Sequence, residues 1–332
     1  MKPKEKFSKN YDLFGTVLLT GVFVTIGTLL AYYNGLRNLP LIVTVITFTL
    51  LISTYCLLSV EQIIFLIRKR FDSNPYLLWL VVMFFFCPYL LYSLGNNSFT
   101  LLGAGKLLLF LSLPTIVLFF RDREKNNIKF SWHDFVAILL IWLPFDFRLL
   151  NGIWVGKVIY AFNVLVAFSL AIILFIGYRK VEEVGYSFRL DRKILYQGLL
   201  NFALFAPLAI SLGLVTKFLV WAPRNQGFLP VFLTALGIFL FTALPEELLF
   251  RGLIQNLLAK TLGSNNLALI IASIVFGLAH LNNASYPKNI IYCFLATLAG
   301  IFYGRAYIAT KSILAGAITH ALVDTVWHEL FK

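Results

Sequence analysis

Three short stretches in the last third of the sequence carry residues able to do hydrolytic chemistry. They are Pro245-Glu246-Glu247-Leu248-Leu249-Phe250-Arg251, Phe276-Gly277-Leu278-Ala279-His280 and His320-Ala321-Leu322-Val323-Asp324. Three of the four histidines fall here or just beyond, at 280, 320 and 328. A carboxylate beside an imidazole can take a proton from water and pass it to a leaving amine. A carboxylate, two imidazoles and an Asp can also hold Zn²⁺ or another divalent ion. Glu246, His280, His320 and Asp324 are therefore candidate metal ligands as well as candidate catalytic groups. No His-Glu-x-x-His motif and no Gly-x-Ser-x-Gly elbow occurs, and no Cys lies within the three stretches, which disfavours serine and cysteine proteolysis.

The apolar flanks predict helices for all three stretches. On a helix Glu247 and Arg251 are i,i+4 neighbours, whereas Glu246 lies roughly 140° round from Arg251. Arg251 should then neutralise Glu247 and leave Glu246 free to act as a base on water. The plain alternative is an interfacial Glu–Arg pair with a spare Glu. Gly263-Ser264 breaks the chain between the first two stretches, predicting an antiparallel hairpin. Glu246 and His280 are each 17 residues from Gly263, so both should reach a similar depth. Phe276 lies one turn from His280 and can brace its ring. His320, Asp324 and His328 step by four and form a polar stripe on one helix face. His328 reads as an end-of-helix residue, and His133, beside Trp132 and Asp134, as interfacial.

The elements that position these groups are membrane spans. Hydrophobic residues make up 60% of the 332, mean hydropathy is +0.84, and 13% of residues are charged. A soluble core cannot conceal so much apolar surface, but a bilayer can. Candidate spans are 13–33, 39–67, 76–94, 101–120, 132–147, 154–178, 196–221, 229–250, 265–281, 289–305 and 312–330, near the ~20 residues needed to cross. The expected fold is an all-α polytopic transmembrane helical bundle of about ten or eleven spans. The basic start of the chain leads into a long apolar run with no cleavage-site pattern, and reads as a first span rather than a removed signal.

The formal charge is +13, yet its placement argues against nucleic acid. With the N-terminus inside, 20 of the 28 Lys and Arg residues fall on inner segments and 6 on outer ones, a positive-inside pattern. The inner set includes Lys2, Arg123 and Lys125, the outer set Lys157. Cys56, Cys87 and Cys293 show neither metal nor disulfide spacing. The polar stretch Arg179 to Lys193 divides the chain into 1–180, an accessory bundle of six candidate spans, and 181–332, which holds the three stretches and is the candidate catalytic core. The first part holds few intramembrane charges: Glu61 and Gln62 near the end of the second span, and Lys106, which can snorkel. The 132–147 segment can be read as re-entrant or interfacial. No repeat relates the two parts, which disfavours an inverted-repeat transporter.

Taken in order, Glu-Glu-x-x-x-Arg, Phe-x-x-x-His and His-x-x-x-Asp resemble the CAAX prenyl endopeptidase and bacteriocin-processing family of intramembrane metalloproteases, also called CPBP or Abi. The resemblance runs from about Gly198 to His328. It implies Glu246 as base, supported by Glu247 and Arg251, His280 assisting water activation, and His320 with Asp324 holding a metal or stabilising an oxyanion. The prenyl-endopeptidase branch usually has Asn at the position of Asp324, and Asp occurs among bacterial members. An ionised Asp cannot donate a hydrogen bond, so Asp324 must be protonated, bind metal or orient His320. The implied function is hydrolysis of a peptide bond in a membrane-associated or lipidated substrate. The alternatives are a non-catalytic bacteriocin-immunity or membrane-sequestering protein of the same fold, and an ion-coupled transporter. Expected partners are a peptide or protein substrate in the membrane and the lipid bilayer, with no nucleic acid. The expected location is the bacterial plasma (inner) membrane, N-terminus cytoplasmic.

Overall fold

A computed structural model describes residues 3–121, 129–156 and 159–332, with 3–12 and 159 entering as helix alone. Lys2, Arg123, Lys125 and Lys157 of the charge pattern lie outside the described residues. The described chain is helical, and its one β-type contact is an isolated bridge between Trp221 and Phe331. Eight helices are long and apolar enough to cross a membrane: Leu13–Tyr33, Asn38–Leu57, Pro75–Gly95, Leu101–Phe119, Tyr160–Tyr178, Arg192–Val215, Phe228–Leu262 and Lys288–Thr310. The chain is thus a polytopic helical bundle and an integral membrane protein. The expected segments 132–147, 265–281 and 312–330 are helices too, but of 15, 14 and 18 residues, and fall outside those eight.

Two compact units divide the chain, Met1–Asn126 with Ser131–Glu182, and Asn127–Phe130 with Glu183–Lys332. The first contains α1 (Pro3–Tyr33), α2 (Asn38–Leu57), α3 (Glu61–Ser73), α4 (Leu78–Gly95), α5 (Leu101–Phe119), α6 (Trp132–Asp146) and α7 (Ile159–Ala171, continued by the π-helical stretch Ile172–Tyr178). The expected single span 39–67 is in fact two helices. The chain turns at Leu58–Val60, and Glu61 opens α3, where a carboxylate suits the positive end of the helix dipole. Helix α7 is the centre of this unit, 89% buried along its apolar window. Trp154, Phe162, Tyr89 and Tyr92 meet edge to face near one end, where the Trp154 indole donates to Asn163 Oδ1 at 2.9 Å. At the other end Asp134, fully buried, accepts from Arg179 Nε at 3.1 Å and lies 3.7 Å from Arg121 Nε. Asp134 also closes a capping box with Ser131 that starts α6. His133 stacks on Trp132 with ring centroids 3.7 Å apart. Lys106 reaches the end of its helix and donates to the Asn151 carbonyl at 2.7 Å.

The second unit holds α8 (Arg192–Val215), the 35-residue α9 (Phe228–Leu262), α10 (Asn265–Leu278), α11 (Lys288–Thr310) and α12 (Ile313–Leu330). Helices α11 and α12 pack on α8 and on each other, and α10 packs along α11. The break between α9 and α10 follows from two residues. Gly263 adopts the left-handed φ of +65° that ends a helix, and the Ser264 hydroxyl caps the next by accepting from Leu267 N. The last residues return to α8's exit: Val220 and Lys332 exchange both backbone hydrogen bonds, and Ala222 N donates to Leu330 O.

Candidate active site

Helix α9 is not regular where the chemistry sits. The four residues Leu244–Glu247 are α-helical between π-helical stretches Phe239–Ala243 and Leu248–Gln255. Pro245 has no amide hydrogen for the helix ladder, and π turns of this kind recur at functional sites. The wider turns still bring Arg251 Nη1 to 2.9 Å from Glu247 Oε1, an ion pair whose angles fall outside hydrogen-bond geometry. Both side chains are buried, at 1% and 0% exposure. Arg251 Nη2 donates to the Gly300 carbonyl at 3.2 Å, and its guanidinium lies 4.4 Å from the Phe276 ring centroid. That cation therefore has a counter-charge, a carbonyl and an aromatic face, the partners a charge needs away from water.

His320, on α12, joins the two glutamates. Its Nδ1 is 3.2 Å from Glu247 Oε1, and because an ionised carboxylate only accepts, Nδ1 carries the proton. Its Nε2 is 3.4 Å from Asp324 Oδ2 and 3.8 Å from Glu246 Oε2. Glu246 and Asp324 are 32% and 29% exposed, whereas His320 is 4% exposed. Glu246 Oε2 is itself buried and has no hydrogen-bond partner. The arrangement is a buried Arg251–Glu247–His320 relay that ends on two carboxylates at an opening.

His280 is placed differently. Its Nδ1 bonds the Phe276 carbonyl at 2.8 Å, and its ring lies 4.7 Å from Phe276 and 4.9 Å from Tyr292. Among the described residues no hydrogen bond or ion pair joins His280 to Glu246, Glu247, His320 or Asp324. Phe276 does brace it, and also meets His320 edge to face at 5.7 Å. His328 pairs with Glu329 at 3.1 Å, outside the cluster. As for a metal, no three His, Cys, Asp or Glu side chains among the described residues are placed to hold one ion. His320 Nδ1 is turned to Glu247, which leaves Nε2 beside Asp324 and Glu246, but His280 is held at the Phe276 carbonyl, so Glu246, His280, His320 and Asp324 together do not fit one divalent ion as arranged. No step below runs through one.

Two site residues escaped the sequence reading. Tyr303 stacks face to face on His320, centroids 4.6 Å apart and planes 20° apart. Gly316 lies against Glu247 Oε2, so closely that an added Cβ would strike that oxygen. A signal for the first was present in Gly300-Ile301-Phe302-Tyr303-Gly304, a small-x-x-x-small pattern that lets helices approach closely. An added Cβ at Gly300 would come within 3.0 Å of Ser273.

Buried Arg251, Glu247 and His320, with the part-exposed Glu246 and Asp324 beside them, form one polar cluster inside a helical membrane bundle. Residues 227–326 match the family model described as Type II CAAX prenyl endopeptidase Rce1-like. The match covers under a third of the chain and includes all seven motif residues from Glu246 to Asp324. It shows the resemblance carried by the three motifs, and ties this segment to a family of proteases. The comparisons with curated proteins and with solved structures returned no match.

Proposed function

We propose that the protein is an intramembrane endopeptidase that hydrolyses a peptide bond of a membrane-associated or lipidated substrate with a Glu/His-activated water. The observation that carries this reading is the unpartnered Glu246 Oε2, 3.8 Å from a His320 Nε2 whose ring is fixed by Glu247. In this reading Glu246 takes a proton from water as the oxygen attacks the scissile carbonyl carbon. His320, carrying a second proton on Nε2 between Asp324 and Glu246, donates it to the carbonyl oxygen as charge develops there, and Asp324 orients the ring from the Nε2 side. The C–N bond then breaks, and Glu246 returns its proton to the leaving amine. Glu247 and Arg251 are positioning residues. His280 is held by the Phe276 carbonyl and makes no direct hydrogen bond to the carboxylates.

The segment 181–332 would form the peptidase part, and 1–180 would serve substrate selection or partner docking. The matching location is the bacterial plasma membrane, with the N-terminus cytoplasmic as the basic residues suggest. The test compares detergent-purified wild type and Glu246→Gln on a library of membrane peptides. The wild type should cleave a subset and the variant should not. Equal cleavage by both would remove Glu246 as the base.

A further inference from the structure

The reaction proposed above leaves the Tyr303 hydroxyl unused. Its ring is clamped: it stacks on His320, centroids 4.6 Å apart, meets Phe276 at 6.0 Å and Phe205 of α8 at 6.2 Å, and lies 5.2 Å from the Arg251 guanidinium. The residue is 2% exposed. Among the described residues its hydroxyl makes no hydrogen bond, yet it is not one of the shut-in polar atoms, which in this cluster are Glu246 Oε2, Glu247 Oε2 and Arg251 Nη1. The little surface that Tyr303 keeps therefore includes its oxygen. Buried hydroxyls are normally paired, so a fixed, unbonded one with surface calls for a visiting acceptor. Helix direction says where that acceptor sits. Helices α11 and α12 run antiparallel, joined through Lys311 and Ser312. A helical side chain tilts toward the N-terminus of its own helix. From its place opposite His320, that tilt carries the Tyr303 hydroxyl about one turn along α12, in the direction of Asp324. Of the charged groups around it, Asp324 acts on it most strongly, ahead of Glu247 and Arg251.

We infer that the Tyr303 hydroxyl is a second donor to the carbonyl oxygen of the scissile bond, beside His320 Nε2, and so a catalytic residue. The inference rests on the peptidase reading. There the oxygen accepts from Nε2, on the edge of the imidazole where Asp324 stands, and that is the edge toward which the hydroxyl points. An ionised Asp324 only accepts, Glu246 acts on the water, and Arg251 is committed to Glu247 behind the ring, so the cluster otherwise gives this oxygen one donor. As the carbonyl carbon becomes tetrahedral its oxygen gains negative charge and becomes a stronger acceptor. A phenol already held by its neighbours meets that charge without reorganising. The O–H bond stays intact: the hydroxyl lends a hydrogen bond and transfers no proton.

Tyr303→Phe removes the oxygen and keeps the ring. Measured on the full-length protein in detergent with a peptide that the wild type cleaves, it should lower kcat by about 10², the loss typical of one such donor, with KM and melting temperature near wild type. The phosphinate analogue of the same peptide carries an anionic oxygen on a tetrahedral centre, in place of the oxyanion. It should bind Tyr303→Phe more weakly by the factor by which kcat/KM falls. Tyr303→Leu, which also loses the stack on His320, should fall further and melt lower. Wild-type rates in Tyr303→Phe would overturn the inference and leave the peptidase reading intact. A lower rate with unchanged phosphinate affinity would also overturn it, and would make Tyr303 a group that acts through Asp324 or through packing. No cleavage by the wild type, or equal cleavage by Glu246→Gln, would instead remove the reading itself and the inference with it.

Discussion

Glu246 and Glu247 are neighbours with different surroundings, and variants can separate them. Glu247 touches Arg251 at 2.9 Å and His320 at 3.2 Å with no exposure, while Glu246 sits at the opening. Glu246→Gln should lower peptide cleavage by at least ~10², the usual scale of a general base, with expression unchanged. Glu247→Gln strands Arg251 as a buried unpaired cation, a change that typically costs about 3–5 kcal/mol, so its melting temperature should fall as well. Adding Arg251→Gln to Glu247→Gln should recover part of that loss, and should not rescue Glu246→Gln. Rescue of Glu246→Gln by a change at 251 would reverse the two roles. Gly316→Ala gives a second route to the same carboxylate, since its methyl would strike Glu247 Oε2. It should turn His320 and cut kcat by about tenfold or more while substrate KM stays near wild type. A fall confined to melting temperature would make Gly316 a packing residue only. The Glu247–Arg251 pair was legible because it is local, four residues along one helix. The Tyr303 and Gly316 contacts were not, because they arise only when α11 and α12 close on α9.

Helix packing sets where His280 stands. Gly277 has no room for a side chain, because a Cβ there would strike Thr297 Oγ1 and the Cys293 carbonyl of α11. Gly277→Val should therefore push α10 from α11, costing about 1–3 kcal/mol as overpacking and carrying Phe276 and His280 with it. A lowered melting temperature with lost cleavage is the expected outcome, and an unchanged melting curve would mean that the α10–α11 contact is looser than described. The hairpin of α9 and α10 could be read from Gly263-Ser264, since left-handed backbone and a serine cap are local chemistry. The π-helical stretches on either side of Glu246 could not, because hydrophobic periodicity does not distinguish them from α-helix over so few residues. The split of 39–67 was also hidden: Ile63, Ile64, Phe65, Leu66 and Ile67 keep the segment apolar across the turn.

For the membrane unit, the number of crossings follows from which helix ends share a level. Arg121 at the end of α5, Asp134 at the start of α6 and Arg179 at the end of α7 are in contact. Lys106 near the start of α5 bonds Asn151, beyond α6. Helix α6 therefore leaves the Arg-rich level and α7 returns to it, so the 15-residue α6 counts as a traverse although it is short. Six traverses put Ser8 and Glu182 on one side. Single cysteines at those positions should react with an impermeant thiol reagent from the same face of sealed vesicles, the cytoplasmic one by the basic residues. Labelling from opposite faces would remove α6 as a crossing.

Helix α10 has a consequence for the lipid around it. Its 14 residues rise only about 21 Å, against about 30 Å of hydrocarbon. Leu267, Ile270, Ile274 and Leu278 form an exposed stripe along it, so acyl chains meet this short wall directly. Lipid beside a short span thins to match it, at a modest cost for each ångström of mismatch. A dimple there would bring interfacial water toward His280 at the end of the helix. Cleavage in reconstituted bilayers should accordingly be fastest with short acyl chains and slow as di-C14 lipids are replaced by di-C20. A rate indifferent to chain length would mean that water reaches the relay through the protein alone.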